Sequence, residues 1–144
     1  MTDCQFCRIV GGEAHGHPVL ETAQMFAFLD HRPVFKGHVL LVPRRHVVTL
    51  PELPEDLVAP FLGAGQRLAA AMVDALGAQG SFVAVNNVVS QSVAHLHLHV
   101  VPRTKGDGLR GFFWPRTRYA DEAEADEYAA RLRRALQGPA ITAG

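Results

Sequence analysis

The spacing of apolar residues changes from segment to segment along this chain, and the changes mark out its elements. His38-Val39-Leu40-Leu41-Val42, between the Lys36-Gly37 turn and Pro43, has the apolar run of a buried strand. Val19-Leu20 and Met25 to Leu29 read as the arms of a hairpin joined through Glu21 to Gln24. Ser81 to Val85 is a further strand, followed by a loop over Asn86 to Ser92. Leu57, Phe61, Leu68, Met72 and Leu76 recur at three-to-four spacing or its multiples, which predicts an amphipathic helix from about Pro54 to Leu76. Glu55 and Asp56 suit its first turn and Gly77 its end, while Pro60 predicts a kink or a regular start near Ala59. A short helix over Phe6 to Val10 is stopped by Gly11-Gly12. A last helix, Asp121 to Leu136, carries acids first and Arg131, Arg133 and Arg134 after, with Glu127 four residues before Arg131.

The sharpest alternation is His95-Leu96-His97-Leu98-His99-Val100-Val101. A period of two predicts a half-buried strand over Val93 to Val101, with Leu96, Leu98 and Val100 toward a core. The three imidazoles then share the other face at intervals of about 7 Å. Strands broken up by two long helices predict an α+β domain with a mostly antiparallel sheet.

A solvated strand face ordinarily carries Thr, Lys or Glu. Three side chains that titrate near neutrality point instead to nucleophilic catalysis, proton transfer or metal ligation. The other five histidines are scattered along the sequence. A neutral imidazole can attack phosphorus if one ring nitrogen is bare and the other holds its proton against an acceptor. Neighbouring imidazoles can orient it or meet charge on phosphate oxygens. Gln91 and Ser92 offer short polar groups at the entrance of the histidine strand.

Length and charge narrow the partners. The 144 residues fit one domain with a real core, 1–144. Fourteen basic and 14 acidic side chains leave zero formal charge, against a nucleic-acid duplex as partner but not against a small anion held locally. No stretch approaches a membrane span and the start lacks a secretory pattern, so a cytoplasmic protein is expected. In a reducing compartment, Cys4 and Cys7 are a metal or redox pair rather than a disulfide.

The histidine run matches His-φ-His-φ-His-φ-φ and stands behind Gln91-Ser92-Val93. With Cys4-x-x-Cys7, Ala27-Phe28-Leu29-Asp30 and Gly37-His38-Val39-Leu40-Leu41-Val42-Pro43-Arg44-Arg45-His46, it resembles the histidine-triad (HIT) family over about residues 3–103. Asp107 to Pro115 looks like a bacterial branch of it.

The resemblance implies a five-stranded HIT-like fold with a long central helix and a C-terminal helix, the sheet continuing across a homodimer. It implies a nucleotide hydrolase acting at the α-phosphate through a nucleotidyl-histidine, on a dinucleoside polyphosphate such as diadenosine tetraphosphate. A purine nucleoside phosphoramidase with the same nucleophile is the near alternative, and a non-catalytic nucleotide sensor or scaffold the distant one. Carried over by position, His97 is the nucleophile, His99 contacts phosphate oxygens, and His38 lies beside the site. Asp30 matches the carboxylate on the ribose hydroxyls, and Asn86, Gln91 and Ser92 match polar contacts to ribose or phosphate. Phe6, Ile9, Phe28 and Leu40 match the apolar walls around a purine base. His99, where transferase branches resemble His-x-His-x-Gln, tilts the chemistry toward hydrolysis.

Zinc-bearing members, and the related galactose-1-phosphate uridylyltransferases, imply a structural zinc ion on Cys4, Cys7, His46 and His95. Three departures bear on specificity. Ser90 stands where many members have Gly, with loss of a positive φ expected; Ala94 replaces a bulkier residue or proline; and His31 replaces an aliphatic one after Asp30. The basic, aromatic stretch over 103–118, anchored by Phe112, Phe113 and Trp114 before the helix at about 121–137, is expected either to serve distal phosphates or the leaving group or to be a solvated basic loop over an aromatic patch that completes the core.

Overall fold

The computed structural model describes residues 3–110 and 116–137. They form two compact units, one ending at Asp107 and one beginning at Gly108. The first unit contains α1 (Gln5–Val10), β1 (Pro18–Glu21), β2 (Met25–Leu29), β3 (Val39–Pro43), α2 (Glu55–Leu76), β4 (Gly80–Val85) and β5 (Leu98–Arg103). Five strands make one sheet in the order β1-β2-β3-β5-β4, every neighbouring pair antiparallel. This is the expected α+β architecture, with β5 inserted between β3 and β4.

Strand alternation gives the sheet two apolar faces. Met25, Ala27, Val39, Leu41, Leu98 and Val100 point to one side, where Leu57, Phe61, Ala64, Leu68 and Met72 of α2 cover them. At Gly65 the helix comes so close that a Cβ would stand 2.7 Å from Leu98 Cδ2, so only glycine fits without a shift. Phe26, Phe28, Leu40 and Val42 point to the other side and pack with Phe6 of α1. A six-residue helix has little stability of its own. Here Cys4 caps it, with Sγ accepting from the Cys7 N–H at 3.4 Å, and the Phe6 ring meets Phe28 edge-on at 5.3 Å.

Pro60 neither breaks α2 nor delays its start. The helix begins at Glu55 and continues through Pro60 to Leu76. The missing N–H and the ring clash cost about 3 kcal/mol, offset by Leu57 and Phe61, which flank the proline and are both buried, at about 1.5–3 kcal/mol each. Gly77 ends the helix in the left-handed conformation, at φ 67°. Leu76, last of the expected apolar stripe, is half exposed rather than part of the core.

In the second unit α3 (Glu122–Leu136) opens with a reciprocal cap. The Glu124 N–H donates to Asp121 at 2.8 Å, and the Ala120 N–H donates to the Glu124 carboxylate at 2.9 Å. Arg131, spaced to pair with Glu127, lies over the Tyr128 ring at 5.2 Å from its centroid. The expected anchors Phe112, Phe113 and Trp114 lie outside the described residues.

Candidate active site and metal cluster

β5 and the residues before it carry the histidines, but the strand is shorter than the alternation predicts. Pairing starts at Leu98, opposite Leu41 of β3 and Val85 of β4. Ahead of it the chain turns tightly, with the His95 N–H donating to the Val93 carbonyl at 2.8 Å and the Leu96 N–H to Val47 at 2.7 Å. The division of faces survives, since Leu96, Leu98 and Val100 all join the core under α2. The imidazole side is deeper than a half-buried face, His95 being 0 % and His97 3 % exposed. Helix α1 is the reason: the Phe6 ring stands 6.1 Å from His95 and 5.2 Å from His97.

Hydrogen bonds assign the tautomers. His97 Nδ1–H donates to the His95 carbonyl at 2.7 Å, which leaves Nε2 with its lone pair. The Val34 N–H donates to His38 Nδ1 at 3.1 Å, so the proton of that ring sits on Nε2. His38 Nε2–H then donates to His99 Nδ1 at 3.0 Å, leaving His99 Nε2–H as a donor. Asp30 Oδ2 lies 3.7 Å from His38 Nε2. Burial pushes His99 down from 6.5 to about 4, with the neighbouring His97 and His38 adding to the effect and Asp30 opposing it. Burial also lowers His38, again against Asp30. Both rings are neutral at pH 7, as the tautomer chain requires.

A cleft of about 200 Å³ brings the expected residues together: Phe6, Ile9, Phe28 and Leu40 as walls, with Asp30, Ser92, His97 and His99. His38 stands behind His99. Asn86 and Gln91 are not among the residues lining this cleft. Gln91 spans the loop instead, its Oε1 accepting from the Val88 N–H at 3.0 Å and its Nε2 donating to the Val48 carbonyl at 2.6 Å. The loop keeps left-handed backbone without glycine, Val88 at φ 67° and Ser90 at φ 61°, so the positive φ is retained where loss was expected. Each such residue costs about 1–3 kcal/mol, held in place here by the Gln91 bridge and by Asn87, whose Oδ1 accepts from the Leu50 N–H at 2.8 Å. Sequence reasoning missed Gln5, His15 and His17, which also line the cleft. The His15-Gly16-His17 spacing was the available signal.

A wider, open groove of about 730 Å³ is lined by Asp3, Cys4, Gln5, His46, Ser92, Val93 and Ala94. Gln5, Ser92 and Val93 wall both cavities. Cys4 and His46 of this groove meet Cys7 and His95, the four bringing their ligand atoms within 4.8 Å of one another. Cys4 Sγ and Cys7 Sγ lie 3.4 and 3.5 Å from His95 Nδ1, Cys7 Sγ lies 3.3 Å from His46 Nδ1, and the two Nδ1 atoms are 3.3 Å apart. A tetrahedral zinc ion, with bonds of about 2.3 Å to sulfur and 2.0 Å to nitrogen, spaces its ligand atoms about 3.3–3.8 Å apart. His95 Nε2–H donates to the Pro43 carbonyl at 2.8 Å, which turns the Nδ1 lone pair into the cluster. Burial, with Cys4 beside it, pushes the Cys7 thiol up to about 11, a shift that a dication reverses. The donor set fits zinc.

A family model described as HIT domain matches residues 11–106. A HIT-like protein of Mycobacterium tuberculosis is 39% identical over 108 residues, 74% of this chain and 75% of that one. Adenosine 5'-monophosphoramidase of Schizosaccharomyces pombe is 34% identical over 114 residues, 78% of this chain and 83% of that one. Among solved structures, a HIT family member from Bacillus subtilis superposes with a TM-score of 0.85 at 28% identity, covering 95% of this chain and 99% of that one. A Zn-bound histidine triad family protein from Mycobacterium smegmatis gives 0.72 at 36% identity, covering 93% and 98%.

Proposed function

Because this chain belongs to the histidine-triad (HIT) family of nucleotide-binding hydrolases, we propose that it cleaves a nucleotidyl compound at the α-phosphate through a covalent nucleotide on His97. The observation that carries this is the 2.7 Å bond from His97 Nδ1–H to the His95 carbonyl, which leaves Nε2 bare in the cleft. Attack forms the Nε2–phosphorus bond and breaks the bond to the leaving group, which takes up a proton from solvent. Water then attacks phosphorus, the nitrogen bond breaks, and one water is consumed overall. His99 Nε2–H, fixed by His38 and the Val34 amide, meets charge growing on a phosphoryl oxygen. Asp30 accepts from the ribose hydroxyls, Phe6, Ile9, Phe28 and Leu40 hold a purine, and Ser92 stands where cleft and groove meet.

One observation separates the candidate leaving groups. Among the described residues, no Lys or Arg lines the cleft or the groove; the charged side chains there are Asp3 and Asp30, beside the imidazoles. With Asp30 on the ribose, Asp3 in the groove lining is the carboxylate left to meet an amine leaving group. This favours a phosphoramidate over diadenosine tetraphosphate, and the adenosine 5'-monophosphoramidase relative agrees. Parallel turnover of an adenosine phosphoramidate and diadenosine tetraphosphate tests it. Faster cleavage of the phosphoramidate is expected; the reverse order restores the polyphosphate reading, and binding without turnover of either makes the protein a sensor.

Zinc on Cys4, Cys7, His46 and His95 would be structural, tying α1 to the chain ahead of β5. Exposed Val58, Leu62 and Val73 on α2 and Val83 on the edge strand β4 support a homodimer in which the two sheets join. No helix of the described residues is long and apolar enough to cross a membrane. A cytoplasmic setting suits a reduced cysteine pair.

A further inference from the structure

The fold gathers histidines that the sequence spreads out. His46 and His95 serve the metal cluster and His38, His97 and His99 the phosphate chemistry. His15, His17 and His31 belong to neither, yet all three line the same cleft as His97 and His99.

Their placement is built. Gly16 lies so close to α1 that a Cβ would stand 2.9 Å from Ile9 Cγ2. The His17 carbonyl accepts from the Leu29 N–H at 3.0 Å, which fastens the segment beside the end of β2. His15 and His17 flank Gly16 with their rings edge to face at 4.7 Å. His31 follows Asp30 directly, its Nδ1 3.9 Å from Asp30 Oδ1 and its side chain 79% exposed.

We propose that His15, His17 and His31 form a rim that reads the edge of the nucleobase and sets which nucleotide the cleft accepts. This rests on the nucleotide reading given above. The walls Phe6, Ile9, Phe28 and Leu40 offer apolar surface, which any base can stack on. Discrimination needs donors and acceptors placed against the base edge. In that reading Asp30, His97, His99 and Ser92 engage sugar and phosphate, and Gln5 also lines the groove. Each imidazole of the rim carries two ring nitrogens that can donate or accept, the functions that a base edge displays.

The test is calorimetric titration of the full chain with AMP, GMP and CMP, comparing ratios of Kd so that a general loss of structure cancels. The wild type should prefer one base by about tenfold, the size of one good edge contact. The combined variant H15A/H17A/H31A should bring the ratios within about twofold of one. His15→Phe with His17→Phe keeps the aromatic faces but removes the nitrogens, and should weaken the preference as well. Ratios that persist in either variant, or a wild type that binds all three nucleotides equally, overturn the rim while the nucleotide reading stands. No binding of any nucleotide by the wild type overturns both.

Discussion

His97 donates its Nδ1 proton to the backbone carbonyl of His95, two residues earlier, at 2.7 Å. The proposed nucleophile is thus oriented by main chain rather than by a carboxylate, and its ring is packed edge-on against Phe6. His97→Asn should cut turnover by on the order of 10³ or more, with little change in nucleotide affinity. Mass spectrometry of quenched wild type during single turnover should find the nucleotide on His97. A label elsewhere, or a variant with near-normal rates, would remove this assignment.

Metal analysis should find about one zinc per chain after anaerobic, reducing purification. Chelation or Cys4→Ser should lower the melting temperature, because the ligands tie α1 and His46 to the chain ahead of β5. A metal-free protein that melts at the same temperature would contradict the site.

Stability should fall on acidification through His99. The folded ring titrates at about 4 against 6.5 for a free one, so between these values the unfolded state binds a proton that the native state does not. Its contribution is present above pH 6.5 and is lost as pH falls toward 4. Urea unfolding across that window should give a shallower pH slope for His99→Gln than for the wild type. Parallel slopes would show that burial does not hold this ring neutral.

Ser90→Gly should stabilise the protein by about 0.5–1 kcal/mol, since φ of 61° strains serine and suits glycine. Thermal melts would show the gain as a rise of a few degrees, about what this size of domain allows. A lower melting temperature would mean that the serine side chain contributes more than the backbone relief.

Much of this was legible in the residues because periodicity is a local property. The α2 stripe, the buried β3 run and the face shared by Leu96, Leu98 and Val100 all follow from spacing alone. The start of β5 did not, because a ladder needs partners, and the chain at His95 bonds to Val93 while Leu96 bonds to Val47. Pro60 read as a kink or a later start because its cost is local, whereas the burial of Leu57 and Phe61 that offsets it is tertiary. The cluster of Cys4, Cys7, His46 and His95 was reached through resemblance, and the geometry then brought the four together. The bonds of Gln91 to Val88 and Val48 across its loop could not be seen in sequence, because both partners are fixed by the folded loop. The His15-Gly16-His17 spacing was visible, but spacing in an irregular segment does not say that it borders a cleft.

The order of strands in the sheet has a consequence for how the chain comes off the ribosome. β5 is the last strand made but sits between β3 and β4, and β4 has no other neighbour. Until residues 98–103 emerge, the nascent chain carries β3 and β4 with open edges and α2 over an incomplete floor. The strand that closes this gap also brings His99 onto Leu40 and Ala84. Closing the sheet and assembling the cleft are therefore one event in synthesis, and a chain truncated before Leu98 has neither.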